Sequence, residues 1–211
     1  MTLKTIQKTL TVKRWILFTT YGWFVGILFV VGLAILGETI LQPKEDSGGQ
    51  AIVGIGMGAG IGLMQWAVLR HLIEKPFRWF WYSLLGFSLS YLLFDLCSSV
   101  VPFPVKPEFI LPFATVTGAL FSGWLQHRFI LREYNPMSIR WLAYTAVGWL
   151  LAHMITMSMM VINMKNVNLF PKAIIVIIAM LFLCIGGPIL GFVTGHFMVH
   201  QLDEAKSKTN D

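Results

Sequence analysis

Charge is scarce in this sequence. Asp, Glu, Lys and Arg make up 12% of 211 residues, about half the share of a soluble domain. That is too few polar side chains to cover a water-facing surface. Hydrophobic residues supply 56% of the chain, and the mean hydropathy is +0.70. The solvent such a surface suits is lipid. Cysteine is nearly absent. Cys97 and Cys184 both fall in apolar runs, at different expected depths, so no disulfide framework is expected. No Ser-His-Asp order, paired carboxylates or nucleic-acid motif occurs, and no enzyme activity or nucleic-acid partner is expected. The glycines between Gly54 and Gly62 follow no strand, which excludes a phosphate-binding loop. His196 and His200 stand four apart, a spacing that suits a metal. No Cys or carboxylate lies between or directly beside them, so neither a metal nor a cofactor is expected.

Long apolar runs are what the chain does have. Six are long enough to cross a membrane: Trp15–Gly37, Ala51–Leu69, Trp79–Val101, Phe109–His127, Trp141–Met164 and Ala173–Val199. About 20 helical residues span the ~30 Å hydrocarbon core. Barrel strands would be about ten residues long and alternate in polarity, and these runs do not alternate. The connections carry loop chemistry: Pro43 to Asp46 with a Gly pair, then Pro102, Pro104 and Pro107, then Asn166, Asn168 and Pro171. The tail from Asp203 is polar and is expected to fray. The first run exceeds the length of a signal-peptide core and no small-x-small cleavage site follows, so it is expected to be a retained helix.

The basic residues are distributed unevenly. Twelve of the sixteen Lys and Arg fall on one side of the expected bilayer: Lys4, Lys8, Lys13 and Arg14; Arg70, Lys75 and Arg78; Arg128, Arg132 and Arg140; Lys206 and Lys208. The positive-inside rule then places both termini in the cytoplasm of a multi-pass cell-membrane protein.

Two motifs recur in order. Arg14-Trp15, Arg78-Trp79 and Arg140-Trp141 are each followed, after six residues, by Gly22-Trp23, Gly86-Phe87 and Gly148-Trp149. After two further residues stand Gly26, Ser90 and Ala152. In the alternate runs Gly58, Gly62 and Gln65 answer to Ala119, Gly123 and Gln126, then to Gly187, Gly191 and Thr194. The constant spacing marks an internal repeat. Its copies are 14–77, 78–139 and 140–202, with a tail at 203–211. The expected fold is all-α, a single membrane domain of three tandem helical hairpins around a pseudo-threefold axis. The Arg-Trp pairs read as interfacial anchors. The small residues read as faces for close helix packing: Gly54, Gly58 and Gly62 share one face of their helix, and Gly56 and Gly60 another.

The stretch Gly62 to Arg70, Gly-x-x-Gln-Trp-x-x-Leu-Arg, resembles a repeated signature of small prokaryotic multi-pass membrane proteins. The likeness is fullest in the first copy. His127-Arg128 replaces Trp-Ala in the second, and Thr194 replaces the glutamine in the third. It implies a topology and no chemistry.

Gln65, Gln126 and Thr194 are expected at one depth, either as a substrate-binding polar ring or as glue between helices. His71, Arg132 and His200, with Arg14, Arg78 and Arg140, form a basic collar. It suits anionic lipid headgroups or simply sets orientation. Asp95 and His153 fall deep in the outer half, where ionisable groups are costly, and together they suggest a proton relay. Two functions compete. One is passage of a small solute, ion or lipid along the repeat axis. The other is a non-catalytic accessory role, binding lipid or the helices of a membrane-protein partner.

Overall fold

The computed structural model describes residues 10–41, 50–100, 107–134, 136–166 and 172–210. Six long helices follow in chain order: α1 (Val12–Leu41), α2 (Gln50–Leu69), α3 (Phe77–Val100), α4 (Pro107–Phe129), α5 (Arg140–Asn166) and α6 (Lys172–Asn210). Two short 3-10 turns, Leu131–Glu133 and Pro136–Ile139, lie between α4 and α5. There is no strand among the described residues. Lys4, Lys8 and most of the proline-rich connections lie outside them.

Among the described residues, four segments are long and apolar enough to cross a membrane: Val12–Thr39, Gln50–Leu69, Phe77–Ser98 and Met180–Leu202. The sequence reading expected six. Helices α4 (23 residues) and α5 (27 residues) also have the length to span, and both carry Thr, Ser and His among their apolar residues. Most of these on α4 point inward. On α4, Thr115, Ser122, Gln126 and His127 are buried, while Phe113, Leu120, Phe121 and Trp124 are exposed. Exposed hydroxyls such as Thr117 turn back onto their own helix, bonding a carbonyl one turn earlier. This keeps the Thr117 hydroxyl from standing bare on an apolar face.

Each helix packs against its neighbours in the chain, and α6 closes back on α1. The result is a closed ring of six helices. Glycine sets how close the helices come. A Cβ on Gly60 would stand 2.2 Å from the backbone nitrogen of Gly26 on α1. On the opposite face, one on Gly58 would stand 2.9 Å from the Ser83 carbonyl oxygen of α3. The two glycine faces read from the sequence therefore meet two different neighbours, and α2 is wedged between α1 and α3. Helix α6 uses Gly187 and Gly191 against Thr20 and Ile16 in the same way.

The C-terminal segment differs from expectation. Helix α6 runs on to Asn210. No Gly or Pro interrupts 203–210, Ala, Lys and Glu favour the helix, and His200 pairs with Glu204 at 3.1 Å one turn on.

Candidate functional site

The ring has an aromatic centre. Trp15, Trp79 and Trp141 open the three odd-numbered helices, and all three are within 1% of complete burial. They converge on one another. The Trp15–Trp79 and Trp15–Trp141 centroids are 6.1 and 6.3 Å apart with rings edge to face, and Trp79–Trp141 is 5.5 Å. Each such pair contributes about 0.5–1.5 kcal/mol beyond its buried area. This corrects the interfacial-anchor reading. An Arg-Trp pair at a helix start cannot send both side chains the same way: Arg78 and Arg140 are exposed, and the tryptophans turn inward.

The polar positions are satisfied by these same indoles. Trp79 Nε1 donates to Gln65 Oε1 at 2.9 Å, Trp141 Nε1 to Gln126 Oε1 at 2.7 Å, and Trp15 Nε1 to Thr194 Oγ1 at 2.9 Å. Each bond ties an odd helix to the even helix before it around the ring, with α6 preceding α1. The glutamines also reach the helix on their other side. Gln126 Nε2 donates to Ser83 Oγ at 2.9 Å, and Gln65 Nε2 makes a longer contact of 3.4 Å with Thr19 Oγ1. Thr19 and Ser83 were legible as partners and were missed: each lies four residues after its tryptophan, and Thr145 puts a third hydroxyl at the same place after Trp141.

Below the indoles, toward the loops that join even to odd helices, Leu69, Ile130 and Met198 continue the apolar fill. Above them Trp23, Phe87 and Trp149 make a second aromatic layer, with Phe87–Trp149 at 4.2 Å and Trp23–Trp149 at 5.6 Å. Trp23 Nε1 donates to the Leu183 carbonyl at 2.8 Å, just ahead of the turn that Pro188 interrupts. Between the layers is a cavity of about 10 Å³, measured as space open to the centre of a water molecule.

No family model, curated protein or solved structure matches this chain. Its own geometry is the basis for any functional reading.

Asp95 and His153 have different partners. Asp95 Oδ2 accepts from the Ala51 backbone N–H at 2.8 Å. Ala51 lies in the first turn of α2, where backbone donors have no partner in their own helix and the dipole favours an anion. Asp95 thus caps α2 from the neighbouring helix. His153 Nδ1 lies 3.3 Å from Thr115 Oγ1, which is 2.6 Å from the Tyr91 hydroxyl. A buried polar string joins α3, α4 and α5, and its far end, His153 Nε2, has no partner. Asp95→Ala is expected to destabilise the protein by about 0.5–2 kcal/mol, as loss of a helix cap does. Thermal melts in detergent would measure it, and Asp95→Asn, which keeps an acceptor, should recover most of the loss.

The collar residues gather at the end of the ring where odd helices begin and even helices finish. Arg78, Arg132, Arg140, His71 and His200 are exposed there, and Arg14 is partly so. Not all are free for an anion. Arg70 Nε donates to His71 Nε2 at 2.9 Å, and His200 is engaged by Glu204. Two loops at this end are tied together, since the Glu74 N–H donates to Tyr134 Oη at 3.1 Å. Burial and the nearby acids push the Tyr134 phenol above its ordinary value. Among the described residues, no three His, Cys, Asp or Glu side chains gather as metal ligands would.

Proposed function

We propose that this is a six-span membrane protein of three hairpin repeats around a pseudo-threefold axis, both termini cytoplasmic. Its role is that of a non-catalytic accessory protein, holding lipid or a partner's helices against its outer face. One observation carries the reading: the axis is filled by Trp15, Trp79 and Trp141, whose indole donors are taken up by Gln65, Gln126 and Thr194. A solute route along the axis would have to part this cluster and leave its donors unpaired in a low-dielectric interior, which costs several kcal/mol. The six-span reading gains support from the inward polar and outward apolar faces of α4. Exposed Phe77, Trp81 and Trp124, close in sequence to Arg78 and Arg128, supply the interfacial aromatics that the repeated tryptophans do not. Arg78, Arg132 and Arg140 suit anionic headgroups. The likeness of Gly62–Arg70 to other multi-pass proteins adds to the topology alone.

The test is flux through reconstituted liposomes together with lipid retention. Wild-type protein is expected to move no small ion or neutral solute, and to retain anionic over zwitterionic lipid in native mass spectrometry. Arg78→Gln with Arg140→Gln should reduce that preference. Flux through wild type that Gln126→Leu abolishes would favour passage instead.

A further inference from the structure

The bonds around the aromatic centre are not equivalent, and the difference localises a site. Gln65 and Gln126 each bridge two helices, accepting from an indole with Oε1 and donating with Nε2 to the hydroxyl of Thr19 or Ser83. The corresponding position on α6 is Thr194. Its hydroxyl accepts from Trp15 Nε1 and donates to the Leu190 carbonyl at 2.6 Å. It has no amide with which to reach Thr145 on α5. Thr145 is 4% exposed, and its Oγ1 is buried without a hydrogen-bond partner. The cavity between the aromatic layers is lined by Thr145 and Thr194, with Ser122 and Gln126 also at its wall.

We propose that this cavity is a binding site for a single water molecule, which takes the place of the missing third amide. Three features fit that ligand. About 10 Å³ is open to the centre of a water molecule, which gives room for a water whose own sphere fills roughly 10–15 Å³. The lining is polar enough, since a buried water needs two to four partners. One of those partners, Thr145 Oγ1, is otherwise orphaned, a state that buried hydroxyls avoid. Larger ligands do not fit a space of that size, which Trp141, Phe87 and Trp149 also line. The water completes the polar belt at the one position where the side chain is too short.

Thermal melts of the full chain in detergent test this with two substitutions. Thr145→Val removes the hydroxyl. If water is seated there, the variant breaks a satisfied bond and its midpoint holds or falls by about 2–4 °C, as a change near 1 kcal/mol gives at this size. If the cavity is dry, removing an orphan polar group raises the midpoint instead, and the proposal fails. Thr194→Gln supplies the absent amide and displaces the water. In that background Thr145→Val should cost more than it does alone, because it then breaks a direct bond. Equal costs in the two backgrounds would count against the proposal. An experimental map better than about 2 Å gives the direct reading. Density within 2.7–3.2 Å of Thr145 Oγ1 supports the site. A Thr145 hydroxyl turned onto the Trp141 carbonyl, with the space empty, overturns it.

Discussion

Replacing Gly60 by leucine is expected to prevent the ring from forming. The first added carbon would sit 2.2 Å from the Gly26 nitrogen and 2.4 Å from the Gly26 Cα. Those are backbone atoms of α1, so no side-chain rotation relieves the clash. Moving α1 away would open the α1–α2 contact over several turns, and α2 is held on its other face by α3 through Gly54, Gly58 and Gly62. Close helix approach in lipid depends on van der Waals contact, because apolar burial gives little drive between helices there. The loss should exceed the ~1–3 kcal/mol of ordinary overpacking. Size-exclusion chromatography in mild detergent should show aggregate in place of a single peak. Gly32→Leu is the control, since nothing lies within 4 Å of a Cβ there, and it should behave as wild type.

Trp79→Ala should be the most damaging truncation. Its ring is fully buried and touches both other indoles, and its N–H holds the Gln65 amide. Removing a large aromatic from a core costs about 3–5 kcal/mol. Gln65 Oε1 is then left without its donor, which adds part of a desolvation penalty of ~1–3 kcal/mol. Trp79→Phe should retain much of the packing and lose only the hydrogen bond, so its melting midpoint should fall between those of wild type and alanine. A Trp79→Ala midpoint within a degree or two of wild type would mean the indoles do not form the centre. Trp81→Ala, from an exposed ring two residues away, should have little effect.

Much of this architecture was legible because lipid-facing helices leave a strong compositional record. Helical class, the position of every helix and the two glycine faces of α2 follow from run length and from small residues at four-residue spacing. That Gln65, Gln126 and Thr194 belong together was legible too, because two motifs keep register across the chain, and all three line one cavity. What the residues do was less so. A tryptophan beside an arginine near a helix start has two plausible settings, headgroup or core, and helix rotation decides between them. That rotation is set by contacts with helices distant in sequence: Trp15 finds its acceptor 179 residues away on α6. Asp95 showed the same limit. Its depth suggested proton chemistry, but its partner is a backbone N–H at the start of another helix, a donor that no side-chain pattern reveals. Helices α4 and α5 looked equal to the others as runs. Their polar residues become intelligible only when seen to point inward.

The central indoles lie within 6.3 Å of one another at fixed interplanar angles between 57° and 88°. Chromophores held that near and that skewed share their electronic excitation, and the sharing is lost when the rings separate. The molecule therefore carries its own optical gauge. Near-ultraviolet ellipticity should report whether the helices have closed on one another, without a label and in any transparent detergent or nanodisc.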